Sequence, residues 1–310
     1  MTVTFVVAIA VLLGLLLFLY NEVRRSAGPA RWAKRLRIAF AAIVLFIAGA
    51  VFWGFFIEPG RLVIREETIQ IDNWPQPLDG LRIAVLSDLH VDNWFINEKK
   101  LRAIVERTNQ RQPDLIVILG DYIAGGRNKA RVEPEVFAPM LKDLRAPLGV
   151  YSVLGNHDWW YNGARVRQAL EQNGIKVLDD KSAKVDARGT SFWLVGLADL
   201  WTRQQRIADT VATVPEGQPL IALTHNPDIL PNVPQHVQLL LAGHTHGGQV
   251  RFPIIGPVVQ SSEYGWVHGH VFADNHHLFV TTGIGTSIIP VRFGLPPEIV
   301  ILTLKSGSQN

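Results

Sequence analysis

Five short polar clusters hold the residues best suited to chemistry: Ser87-Asp88-Leu89-His90, Gly120-Asp121-Tyr122, Gly155-Asn156-His157-Asp158, Thr224-His225-Asn226 and Gly243-His244-Thr245-His246-Gly247-Gly248. Two of them carry D-x-H or H-x-H spacing. On an extended strand end, residues i and i+2 project to the same side. Asp88 and His90 can therefore reach one metal ion, while a bend at Gly243 or Gly247 lets His244 and His246 diverge toward two. A lone Asp-x-His or Gly-Asp after a strand is ordinary turn chemistry. Five such clusters in series, holding half of the chain's ten histidines, read instead as a ligand set. The chain has no cysteine, which excludes thiolate metal sites, disulfides and cysteine nucleophiles. Carboxylate, carboxamide and imidazole ligands suit divalent Mn, Fe or Zn. Two divalent ions set against Asp88 and Asp121 leave a site charge of about +2, which suits a hydroxide and an anionic phosphoryl group.

Converging these clusters requires a scaffold that brings strand ends together. Short apolar runs predict strands at 82–86, 115–119, 150–154, 191–195, 220–223, 237–241, 278–281 and 298–304, after a first strand within 61–71. Amphipathic runs predict helices at 97–109, 134–144, 164–172 and 203–212. Early βα alternation followed by a β-rich half implies a layered α/β sandwich with mixed sheets. Sites in such sheets assemble at the carboxyl ends of strands, where the clusters fall.

The N-terminal fifth has a different character. Residues 2–20 and 38–57 carry no charge, and each run is about the 20 residues that a membrane-spanning helix needs. No positive side chain precedes the first run, as a signal peptide would require. The loop 21–37 holds Arg24, Arg25, Arg31, Lys34, Arg35 and Arg37 against the single acid Glu22. Loops of this kind stay in the cytoplasm, which places everything after the second run outside it. The expected organisation is a transmembrane hairpin over 1–57, a linker and first strand over 58–80, a catalytic domain over 81–305 and a tail over 306–310. The loop supplies about +5 of a formal net charge of +3, so the remainder is near −2 and gives no reason to expect nucleic acid as a partner.

The motif set resembles the calcineurin-like metallophosphoesterase superfamily over roughly residues 80–305, with no ligand position missing. The resemblance implies an αββα sandwich and a binuclear centre. Asp88, His90, Asp121 and His246 would hold one ion; Asp121, Asn156, His225 and His244 would hold the other, with Asp121 bridging. His157 matches the family's non-ligand histidine, which assists phosphoryl stabilisation or leaving-group protonation, and Asp158 would orient its ring. A finer resemblance is to a bacterial membrane-associated branch. It rests on Gly80-Leu81-Arg82-Ile83-Ala84-Val85-Leu86-Ser87-Asp88-Leu89-His90, on Gly243-His244-Thr245-His246-Gly247-Gly248-Gln249, and on Gly283-Ile284-Gly285-Thr286-Ser287 with Pro290-Val291-Arg292-Phe293.

That branch implies a multi-pass protein of the bacterial cytoplasmic membrane, hydrolysing envelope or lipid-linked phosphate esters through a metal-bridging hydroxide. It also includes UDP-2,3-diacylglucosamine pyrophosphohydrolases, the alternative enzyme reading. A protein serine/threonine phosphatase is a rival class with the same metal core, and a non-catalytic membrane metal-binding scaffold is the alternative outside enzymes. Where the family often has Gly-Leu-Tyr, this chain reads Gly269-His270-Val271. No substrate-binding residue is assigned. Trp159, Trp160 and Tyr161 are expected to pack beside their loop or to form a lipid-facing or substrate-stacking rim. Arg292 is expected to meet either a substrate phosphate or a structural partner.

Overall fold

The computed structural model describes residues 31–307 together with 14, 15, 17, 18, 20 and 21. Helix α1 (Arg31–Phe52) runs into a π-turn (Trp53–Ile57) and a 3-10 turn (Glu58–Gly60). The segment Arg35–Gly60 is long and apolar enough to cross a membrane; its 26 residues reach ~39 Å against ~30 Å of hydrocarbon. Most of its large side chains are exposed, among them Phe46 at 76%. The first predicted span, 2–20, and the basic loop lie largely outside the described residues. Phe18, which is described and helical, sets its ring edge-on to Phe40 at 5.8 Å.

Two six-stranded mixed sheets follow. The first contains β1 (Val63–Ile71), β2 (Leu81–Leu86), β3 (Leu115–Ile118), β4 (Val150–Ser152), β5 (Lys176–Val177) and β14 (Glu298–Ser306), in the order β1-β14-β2-β3-β4-β5. The second contains β6 (Lys181–Ala187), β7 (Thr190–Gly196), β8 (Leu220–Leu223), β9 (Leu239–Ala242), β12 (Gly269–Ala273) and β13 (His276–Val280), in the order β12-β13-β9-β8-β7-β6. A two-stranded ribbon, β10 (Arg251–Phe252) and β11 (Gly256–Pro257), stands apart from both. β1 pairs with β14 in parallel along its whole length, from Val63↔Glu298 to Ile71↔Ser306. The first strand is thereby an edge strand of the first sheet.

Side-chain alternation explains the layering. In β2, Leu81, Ile83 and Val85 join the core between the sheets, where they meet Phe192, Leu194, Ile221, Leu223 and Phe279. Ala84 and Leu86 face the other way, toward α2 (Glu98–Gln110), α3 (Pro134–Leu141) and α5 (Gly163–Glu171). Leu220 and Ala222 of β8 pack outward against α6 (Ile207–Val211) and the 3-10 turn Pro227–Asn232. Burying an aliphatic side chain of this kind is worth roughly 1.5–3 kcal/mol, so a strand buried on both faces holds its end firmly. Local signals start the helices: Asn97 caps α2 by accepting the Lys100 amide at 3.0 Å, and Pro134 opens α3.

Several expectations shift. The helix expected over 203–212 is confined to Ile207–Val211. The Asp199 carboxylate takes the Trp201 and Thr202 amides at 3.2 and 2.9 Å, and its carbonyl takes the Arg203 amide at 3.1 Å, which makes the preceding segment a turn. β6 and β12 were not expected, because edge strands need no continuous apolar run and β6 shows Lys181 and Lys184 to solvent. A short helix α4 (Asn156–Tyr161) forms on the Asn156-His157-Asp158 cluster itself.

Candidate metal centre

The five clusters follow β2, β3 and β4 of one sheet and β8 and β9 of the other, so the carboxyl ends of both sheets converge. Backbone bonds fasten neighbouring clusters to each other. The Asp88 amide donates to Gly120 O at 2.9 Å, the His90 amide to Asp121 O at 3.0 Å, and the Gly243 amide to His225 O at 3.0 Å. Side chains add two links: the His244 amide donates to Asp88 Oδ2 at 3.1 Å and the His157 amide to Asp121 Oδ1 at 2.8 Å. Two glycines permit this closeness. A Cβ at Gly155 would collide with the Asp121 carboxylate, and one at Gly243 with Ser87 Oγ and the Asp88 carboxylate.

The side chains so placed form one buried cluster. His90 Nε2 stands 3.2 Å from His246 Nε2 and 3.5 Å from Asp121 Oδ2. His246 Nε2 is 3.4 Å from Asp88 Oδ1. On the other side, His225 Nε2 is 3.3 Å from Asp121 Oδ2 and 3.2 Å from His244 Nδ1. Asp121 Oδ2 thus faces both halves. The rings of His90 and His225 are fixed from behind, because their Nδ1 atoms donate to Ile123 O at 2.9 Å and Leu119 O at 2.7 Å. This arrangement turns each Nε2 into the cluster, where it offers a lone pair whenever the ring is neutral.

The charge state follows from burial. Burial pushes the Asp88 carboxyl up to about 6 and lowers the imidazoles of His90 to about 4 and His244 to about 3. Burial also drives His246 well below its ordinary value. Burial works against the His225 cation, but Asp121, Asp88 and Asp199 outweigh it and lift the group to about 10. Burial likewise opposes the Asp121 carboxylate, and His225, His157 and His90 hold it well below the usual range. The cluster therefore balances its charge with an Asp121–His225 pair and keeps three imidazoles neutral, the form that coordinates metal.

These residues fit a metal. Asp88 Oδ1 and Asn156 Oδ1 are buried without a hydrogen-bond partner, which is costly unless something else satisfies them. Three overlapping groups (Asp88, His90 and His246; His90, Asp121 and His157; Asp88, Asp121 and His225) each converge ligand atoms within 4.8 Å of one another. Nitrogens about 2.0–2.1 Å from one ion stand ~2.9–3.4 Å apart at octahedral to tetrahedral angles, the range of both nitrogen pairs here.

The sequence reading assigned Asp158 to orienting His157, and the structure corrects this. The Asp158 oxygens accept four backbone amides: Asp121 at 2.9 Å, Tyr122 at 2.9 Å, Ile123 at 3.1 Å and Gly155 at 3.0 Å. Burial and the neighbouring Asp121 push this carboxyl up to about 7, while the four donors favour its ionised form. Its work is to clamp the 121–123 loop. The His157 ring is held instead by Gly125 O, 3.2 Å from Nδ1, and its Nε2 lies 3.4 Å from Ser287 Oγ. The Gln249 amide grips Ser287 from both sides, accepting its N–H at 2.9 Å and donating to its carbonyl at 3.0 Å.

Arg292 is wholly buried and binds carbonyls of Gly285, Leu295, Thr282 and Gly283, with Nη2 3.4 Å from His246 Nδ1. It braces the backbone behind His246 and is sealed from any substrate in this conformation. Of the aromatic triplet, Trp159 and Tyr161 pack against the helix-side core, while Trp160 lines a cleft of about 440 Å³ over the cluster. Trp201, stacked on Trp160 at 6.4 Å and edge-on to His244 at 4.3 Å, shares that wall. Sequence reasoning missed Trp201, and it met Gln249 and Ser287 only as members of the branch motifs, with no role assigned. For Trp201 a signal existed, since β7 also ends on an acid, Asp199, whose turn presents the indole.

Comparison with known proteins agrees with this geometry. Residues 81–248 match the family described as calcineurin-like phosphoesterase. The Bacillus subtilis metallophosphoesterase YkuE is 32% identical over 273 residues, covering 86% of this chain and 94% of the relative. The Danio rerio "transmembrane protein with metallophosphoesterase domain" is 30% identical over 301 residues, covering 91% and 66%. The Escherichia coli phosphodiesterase YaeI is 28% identical over 230 residues, covering 72% and 82%.

Proposed function

Because this chain belongs to the calcineurin-like phosphoesterase family and is a metal-dependent phosphoester hydrolase, we propose that it acts as a membrane-anchored phosphodiesterase with two divalent ions. The observation that carries the reading is Asp121 Oδ2, set 3.5 Å from His90 Nε2 and 3.3 Å from His225 Nε2. Asp88, His90, Asp121 and His246 would hold one ion, and Asp121, Asn156, His225 and His244 would hold the other. Mn, Fe and Zn all suit these ligands, and availability decides among them.

Such ions supply Lewis acidity to a phosphoryl oxygen and bring water to its nucleophilic form near neutral pH. The chain's own residues do the rest. His157, with Nδ1 committed to Gly125 O, presents Nε2 to the cleft, where its protonated form can stabilise phosphoryl charge and pass a proton to the departing oxygen. Asp158 keeps Asp121 aimed by holding its loop, and Arg292 does the same behind His246.

The membrane assignment rests on the apolar helix, on the two uncharged N-terminal runs and on a relative named as transmembrane. Retention of the basic 21–37 loop in the cytoplasm would put the catalytic domain, 81–305, on the far side of the membrane, where envelope or lipid-linked phosphate esters are the accessible substrates. Full-length protein in detergent, stripped of metal and resupplied with Mn²⁺, should cleave a simple phosphodiester faster than the matching monoester. Preference for the monoester would refute the diesterase assignment, and a C-terminal reporter active only in the cytoplasm would refute the orientation.

A further inference from the structure

Outside the N-terminal helix, Ile254, Ile288 and Ile255 are the most exposed large apolar side chains among the described residues, at 99%, 92% and 80%. Single exposed isoleucines are common on protein surfaces, but these belong to one rim. The β10–β11 ribbon lifts Ile254 and Ile255 at its turn, and Val258 and Val259 follow, each 59% exposed. The 286–291 loop presents Ile288 and Ile289, at 92% and 44% exposure. Ile288 sits at φ 60°, a left-handed conformation that is costly for a β-branched residue, and its side chain still points to solvent. Val258, Val259, Ile288, Ile289 and Val291 all line the cleft over the metal centre, together with Trp160 and Trp201.

The rim is joined directly to the end of the apolar helix. The Arg292 amide donates to Gly54 O at 3.0 Å and the Gly294 amide to Glu58 Oε2 at 3.1 Å, while Trp53 Nε1 holds the same carboxylate oxygen at 2.7 Å. Gly54 is small enough to rest on Val291 and Phe293. Phe293 packs on Phe252 at 5.4 Å, and its carbonyl takes the Arg251 amide at 2.8 Å. One ring contact therefore separates the helix end from the ribbon that carries Ile254.

We propose that this rim is a membrane-contact surface: Ile254, Ile255 and Ile288 enter the lipid interface beside the N-terminal helix, and the cleft behind them admits the hydrocarbon part of a membrane-resident phosphodiester. An apolar edge next to a spanning helix meets lipid by position, and partition into the interface follows its buried apolar area. The substrate's polar part then lies toward the neighbouring cavity of about 520 Å³, which His157, Ser287 and Ile288 share with the apolar cleft and which Asp92, Lys129 and Gly125 line further out. The substrate half of this inference rests on the phosphodiesterase reading; the membrane contact does not.

The cysteine-free chain allows a test that needs no turnover. Full-length I254C and I288C, each labelled with an environment-sensitive fluorophore, would be placed in phosphatidylethanolamine–phosphatidylglycerol nanodiscs. Glu216→Cys, in the exposed turn before the amino end of β8, serves as control. Labels at 254 and 288 should emit blue-shifted, be quenched by nitroxide lipids and resist iodide, with the control behaving oppositely. Iodide quenching at 254 and 288 equal to that at 216 overturns the proposal. Next, Ile254→Ser with Ile255→Ser should cut turnover of a phospholipid diester in the same discs about tenfold, leaving a water-soluble diester within about twofold. An unchanged lipid rate overturns delivery through the rim. Lipid-quenched labels on a protein inactive toward both diesters would uphold the surface and refute the phosphodiesterase reading alone.

Discussion

At Asp121 one carboxylate oxygen faces His90 and His225, while the other accepts the His157 amide at 2.8 Å. An Asn there keeps the shape and the amide contact but removes the shared anion. Asp121→Asn should lower metal-dependent turnover by about 10³-fold or more, with the far-ultraviolet circular dichroism unchanged. Asp158 makes a different case, because four backbone amides point at one carboxylate. In Asp158→Asn, a side-chain NH₂ must face some of those donors. The substitution should cost about 1.5–3 kcal/mol, read from the denaturation midpoint, and should weaken metal binding through the loosened 121–123 loop. An Asp158→Asn protein of full stability would contradict the clamp. That Asp88, His90, Asp121, His225 and His246 would converge was legible in their types and spacing. The role of Asp158 was not, because a neighbour in sequence, His157, looked like its partner while its real partners lie on the loop from Asp121 to Ile123.

Strand ends bring these side chains together, and the backbone bends sharply where they do. Asp88, His90, Asp121, His244 and His246 all have positive φ, between 42° and 70°, which costs a non-glycine residue of order 1 kcal/mol or more. Strain of this kind, gathered on candidate ligands, fits a scaffold that gives up stability to aim donors inward. The H-x-H spacing suggested a bend at Gly243 or Gly247, and Gly247 does bend at φ 61°, but the left-handed conformations of His244 and His246 themselves were invisible beforehand. Gly243 serves close approach instead. Gly243→Ala should push its methyl group into Ser87 and Asp88, lowering stability by about 1–3 kcal/mol and impairing metal binding, as calorimetric titration would show. The buried strands β2, β3, β8 and β9 were legible as apolar runs. The edge strands β6 and β12 were not, since half-solvated edges lack such runs, and the 199–203 turn was hidden because Asp199 bonds to its local backbone. Ser287 meets His157, and Gln249 meets Ser287, only through tertiary folding, far apart in sequence.

Across the whole molecule, two sheets must hold facing halves of one cluster, so bound metal should tie folding to metal supply. At a free metal concentration 100 times the dissociation constant, linkage adds about 2.7 kcal/mol for each ion bound. For a domain of this size that corresponds to roughly 5–10 °C of melting temperature, to be lost in a chelator and regained with Mn²⁺. The same architecture joins the end of the apolar helix to Val291 and Arg292, beside the cleft, through Gly54. The most direct test of the central claim titrates Mn²⁺ into metal-free full-length protein while following hydrolysis of a simple phosphodiester. Activity that rises and levels off at two ions per chain, absent in Asp121→Asn, is the predicted result. Saturation of activity at a single ion, or equal turnover in the variant, would contradict a shared-carboxylate, two-metal centre.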